Sequence, residues 1–92
     1  MTTPEPIFTC RSINRFGVHQ RMVIYGPDYE AKYWLRLWNL NWSRCYSADL
    51  PLDTLINALR ANYTLETNLS FDEVVALLTA HKNERFDPYA NS

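Results

Sequence analysis

A chain of 92 residues, 47% apolar and 21% charged, has the composition of one small globular domain, with too little length for a second core. Its formal net charge of −1 gives neither the basic excess of a general nucleic-acid binder nor the acidity of a nucleic-acid mimic. No apolar run approaches the ~20 residues needed to cross a bilayer, so no membrane span is expected.

The charges are unevenly placed. Residues 7–46 hold Arg11, Arg15, Arg21, Lys32, Arg36 and Arg44 against Asp28 and Glu30, whereas residues 47–92 hold seven acids against Arg60, Lys82 and Arg85. A basic, aromatic first half is thus followed by an acidic second half. Such asymmetry marks either a binding face or two complementary layers that attract each other.

In chain order, MTTPEP (1–6) contains two prolines and no periodicity, and reads as a loose terminus. The opening also lacks the basic and apolar regions of a secretory signal. A cytoplasmic setting is therefore expected, with Cys10 and Cys45 as thiols and the three Asn-X-Ser/Thr sequons as chance. IFTCRSI (7–13) and VHQRMVIY (18–25) are β-branched and aromatic, and Asn14-Arg15-Phe16-Gly17 between them predicts a hairpin in which Gly17 takes a positive φ. In the second strand, Val18, Gln20, Met22 and Ile24 share one face. Gly26-Pro27-Asp28 ends it.

The segment 28–46 admits two templates. As a helix it would start at Pro27 and gather Ala31, Trp34, Leu35, Trp38, Trp42 and Cys45 into one apolar stripe. As strands over 31–38 and 42–47, it would place Tyr33, Leu35 and Leu37 opposite Trp34, Arg36 and Trp38, with Asn39-Leu40-Asn41 as a turn. Aromatics favour strands, and Asn, Ser and Cys are mediocre helix formers, so the strand template is preferred. The spacing of four keeps the tryptophans co-facial on either continuous element. The residues between them decide whether that face is core or surface.

Two helices follow, over 51–63 and 70–82. In the first, Leu52, Leu55, Ile56, Leu59 and Tyr63 recur at helical spacing behind Asp49-Leu50-Pro51, and Asp49 and Asp53 are assigned to its start. In the second, Ser70 and Glu73 form a capping box ahead of the stripe Phe71, Val74, Val75 and Leu78. The tail 84–92, with Phe86 and Tyr89, is expected to be loose.

The expected fold is α+β: an antiparallel meander of three or four strands with two helices packed on one sheet face. Ile7/Ile13, Val18/Met22/Ile24 and Leu35/Leu37 would meet the helical leucines. The other face would carry Trp34, Arg36, Trp38 and Trp42, joined by Arg21, Tyr25 and Arg44. Tryptophan and arginine dominate binding hot spots, which points to a partner protein and to a small adaptor, regulator or inhibitor. A domain of this size without catalytic motifs is also what inhibitors encoded by viruses or mobile elements look like. The same basic aromatic face could instead stack single-stranded nucleic acid, or pair two copies of the chain.

Enzymatic chemistry finds no support. Cys10, His19, Cys45 and His81 lack any metal-ligand spacing, and the two glycines cannot build a phosphate loop. Asp72 and Glu73 are explained by helix capping. No catalytic residue, metal or cofactor is expected.

Overall fold

A computed structural model describes residues 5–41 and 45–87. Strands β1 (Phe8–Asn14) and β2 (His19–Tyr25) form the expected hairpin. Asn14 builds its turn: the side-chain oxygen accepts from the Phe16 and Val18 amides at 2.9 and 3.0 Å, and the backbone carbonyl accepts from Gly17 at 2.9 Å. Gly17 sits at φ 82°, which a side chain would strain.

A second Asx turn follows β2. Asp28 Oδ1 accepts from the amides of Glu30 (2.8 Å) and Lys32 (3.1 Å), reversing the chain into β3, Tyr33–Asn39. The chain then turns into β4, Cys45–Leu50, and enters α1, Leu52–Asn62. The four-residue β5, Tyr63–Glu66, precedes α2, Phe71–Ala80.

The sheet order is β4-β3-β2-β1-β5, and every neighbour is antiparallel. After the meander, the chain leaves at the β4 edge, crosses as α1 and re-enters at the β5 edge. The crossover lays α1 over one face, and α2 packs beside it. Phe8, Met22, Ile24, Tyr33, Leu35 and Leu37 from the sheet meet Leu55 and Leu59 of α1, and Val74 and Leu78 of α2. Tyr33 also donates its hydroxyl to the Leu78 carbonyl at 2.5 Å, tying the sheet to the last turn of α2.

The strand template therefore holds for residues 33–39, and the helical alternative for 28–46 fails there, because Tyr33, Leu35 and Leu37 are buried on alternate positions. Four further readings are corrected. β5 is an additional strand, and Tyr63 opens it instead of closing α1. In β1 the core-facing set is Phe8, Cys10 and Ser12, so Ile13 points to the opposite face. Val18 lies before β2 and is exposed. Asp49 stands on β4, and Pro51 occupies the N-cap position of α1 with no side-chain cap. The Ser70–Glu73 capping box is present in full, at 3.0 and 3.1 Å.

Ala31 adopts φ 62°, the left-handed region in which a Cβ is unfavourable. Ala31→Gly is expected to raise stability by about 0.5–1 kcal/mol, since relief of this strain exceeds the added unfolded-state entropy. Urea denaturation reads the change as a higher midpoint at unchanged slope.

Candidate functional site

The uncovered sheet face is assembled from alternate residues of all five strands, in rows set by the register. One row runs Tyr25–Trp34–Asp49 and the next Val23–Arg36–Ser47. A third runs Glu66–Arg11–Arg21–Trp38. Trp34, Arg36, Trp38, Arg21 and Tyr25 are thus brought together as expected, all half-buried. Trp42 and Arg44 lie outside the described residues.

The two ends of this face differ. At one end Trp34 is fully engaged within the protein. Its indole Nε1 donates to Asp28 Oδ2 at 2.8 Å, the Arg36 guanidinium lies 4.6 Å above its ring, and Phe86 meets it edge-on at 5.2 Å. Arg36 is likewise held, donating to Asp49 Oδ1 and to the Leu35 carbonyl, each at 2.9 Å, with its side chain only 18% exposed. Phe86 also contacts Tyr25 at 5.9 Å and donates its amide to the Pro27 carbonyl at 3.0 Å. This end is a small second core closed by the segment after α2.

Its rim is acidic. An open groove of about 300 Å³ here is lined by Asp28, Tyr29, Glu30, Lys32, Trp34, Asp49 and Asp87. Burial works against the Asp28 carboxylate, but donation from Trp34, Lys32 and Glu30 outweighs it and holds the pKa below its usual value.

The other end is basic. Arg11 and Arg21 are direct cross-strand partners, and Trp38 follows Arg21 in the same row. Arg11 belongs to this face because β1 turns Phe8, Cys10 and Ser12 toward the helices, opposite to the facing expected from Ile13. A groove of about 350 Å³ is lined by Thr9, Cys10, Arg11, Arg21, Met22 and Val23. A separate groove of about 380 Å³ sits near the hairpin, where Phe16 and Tyr46 are exposed beside Asn14, Gln20, Asn62 and Tyr63. Nothing in the sequence pattern marked it.

Among the described residues, no group of thiol, imidazole and carboxylate side chains converges to hold a metal ion. Cys10 points toward the helices, whereas His19, paired with Ile13, faces the other way. His19 Nδ1 approaches Glu66 at 3.6 Å, and His81 Nδ1 lies 2.9 Å from Glu84. Burial, assisted by the Glu66 carboxylate and opposed by a backbone hydrogen bond from Glu66, pushes the Cys10 thiol up to about 11. Cys10 is therefore almost entirely protonated, and a poor nucleophile, at neutral pH.

Phe86→Ala, in a background where Trp38 and Trp42 are replaced by Phe, is expected to red-shift the Trp34 emission and cost about 1–2 kcal/mol. Unshifted emission would show that Phe86 does not shield the indole. Because the Asp28 pKa is lowered in the fold, its stabilising contribution is present above about pH 4 and is lost as pH falls through the folded value. The stability gap between wild type and Asp28→Asn, measured in urea, is expected to narrow below that pH.

No protein-family model matches the chain, and comparison with curated proteins and with solved structures gave no match. The function must be read from the open sheet face itself.

Proposed function

We propose that the protein is a non-enzymatic interaction module of the cytoplasm, a small adaptor, regulator or inhibitor that occupies a partner protein's surface through its open sheet face. The observation that carries this reading is the division of the sheet: both helices cover one face, and the other presents Trp38 beside Arg21 and Arg11. Tryptophan and arginine combine large contact area with a polar handle, as binding hot spots require.

The structural detail shifts the centre of the proposed surface. Trp34 and Arg36 are consumed by their own contacts and act as a rigid shoulder. Trp38 becomes the principal anchor, with Tyr25 at the margin. The same detail weighs against a single-stranded nucleic acid, which needs successive rings as stacking platforms along a basic track. Here Trp34 is already stacked by Arg36, and the track would end at Asp28, Glu30, Asp49 and Asp87.

Immobilised wild-type protein is expected to retain a defined partner from extracts of the cells that express it, and Trp38→Ala to lose it. Trp38→Ala should still unfold cooperatively, because the indole is only half-buried and outside the main core. Phe16→Ala, in the hairpin groove, should retain the partner. Loss with Phe16→Ala but not with Trp38→Ala would move the site to that groove, and a Trp38→Ala chain that does not fold would make this ring structural.

A further inference from the structure

We propose that the segment 82–87 is a detachable strap, and that the cleft under Phe86 takes an aromatic residue from an extended segment of the partner protein once the strap lifts. The inference rests on the open-face reading and gives that surface a second subsite with a closed state.

The occupant is argued from the residue that fills the cleft now. The Phe86 ring meets Trp34 edge-on at 5.2 Å and Tyr25 at 5.9 Å, and the Phe86 amide donates to the Pro27 carbonyl at 3.0 Å. The cleft thus recognises an aromatic ring together with the backbone N–H of the same residue, which is the chemistry of a peptide. Its walls stand without Phe86. The Trp34 indole donates to Asp28 at 2.8 Å and carries the Arg36 guanidinium over its ring, while Tyr25 is its register partner across β2 and β3. Lifting Phe86 therefore uncovers a preformed site.

The strap is built to separate. Residues 82–85 are exposed, and their hydrogen bonds stay within the segment or return to the end of α2. The Lys82 amide donates to the Thr79 carbonyl and the Glu84 amide to the His81 carbonyl, while Arg85 Nη1 donates to the carbonyls of Lys82 and Glu84. These bonds survive when Phe86 leaves, so opening breaks chiefly the contacts of Phe86 and Asp87 at the far end. Exposed segments held by local bonds open well below the free energy of global unfolding.

The cleft is also continuous with the proposed partner surface. Trp34 and Trp38 share one face of β3, four residues and about 13 Å apart along the strand. A partner segment anchored at Trp38 reaches the cleft with roughly four extended residues. While Phe86 is seated, that second contact is blocked, and the strap acts as an autoinhibitory contact.

Two measurements test this. In native-state hydrogen exchange of the wild-type protein, the Phe86 amide is expected to exchange at least about a hundredfold faster than those of Met22 and Leu35, after correction for intrinsic rates. The second uses full-length protein in which Trp38 and Trp42 are replaced by Phe, with and without Phe86→Ala. Each is titrated with a blocked hexapeptide of the sequence KNERFD, residues 82–87, and with the same peptide carrying alanine for phenylalanine. In Phe86→Ala, KNERFD is expected to return the Trp34 emission to the blue at millimolar concentration, and the alanine peptide to leave it unshifted. With Phe86 present, KNERFD should bind at least about tenfold more weakly, because the cleft is already filled.

A Phe86 amide that exchanges no faster than the core would overturn the proposal. So would a Phe86→Ala chain that does not fold, since the strap would then belong to the core. An absent shift, an equal response to both peptides, or equal affinity with and without Phe86 would do the same. Tighter binding of an eight-nucleotide oligothymidylate, with the same blue shift, would assign the cleft to a nucleic-acid base instead. If KNERFD fails while Trp38-dependent partner capture holds, only the cleft falls. If KNERFD binds while Trp38→Ala retains the partner, the cleft stands and the Trp38 anchor falls.

Discussion

The alternation of β3 is the constraint on which the rest of the structure depends. Tyr33, Leu35 and Leu37 are each at most 2% exposed and form the middle of the core, while Trp34, Arg36 and Trp38 stand on the opposite side of the same seven residues. A side-chain period of two permits no compromise: moving the pairing by one residue would bury Arg36 and expose three core side chains. Tyr33 reinforces the choice, since its hydroxyl reaches the Leu78 carbonyl only from the helix side. The strand thus fixes the helix layer and the open face together. A functional claim about the tryptophans is also a claim about the leucines between them.

The crossover from β4 to β5 supplies the asymmetry. Because α1 connects opposite edges of the sheet, it must pass over a face, and the sparing of the other face follows from the path of the chain. The segment after α2 then reaches round the end of β2 and β3 and seats Phe86 on Trp34 and Tyr25. One end of the open face is consequently closed within the molecule. For the proposed partner surface, a shoulder held in this way would reduce the ordering that binding costs.

The legibility of the sequence follows the strength of its local patterns. The hairpin, both helices and the α+β class were readable, because Asn14–Gly17, the Ser70–Glu73 box and the leucine periodicities each act within a few residues. The facing of β1 was not. Both alternate sets in FTCRSIN contain apolar residues, and the core set includes Ser12, a buried hydroxyl that no hydrophobic pattern would choose. Its position is settled by Gln20 and Leu65 across the neighbouring strands, which is information at long range. β5 was hidden for a similar reason. Tyr63 continues the spacing of α1 and the strand is four residues long, so only its pairing with β1 reveals it. The same ambiguity of β1 hides Arg11, whose place on the open face follows only from its pairing with Arg21.

The uneven charge of the two halves can now be placed. If the basic first half and acidic second half were layers attracting each other, the arginines would point toward the helices. Instead Arg11, Arg21 and Arg36 project from the face that the helices do not cover. Arg36 meets a second-half acid, and that acid, Asp49, belongs to the sheet itself. The helical carboxylates lie beyond the sheet, at a layer spacing of about 10 Å or more, comparable with the screening length at physiological salt. Attraction across that distance adds little to folding.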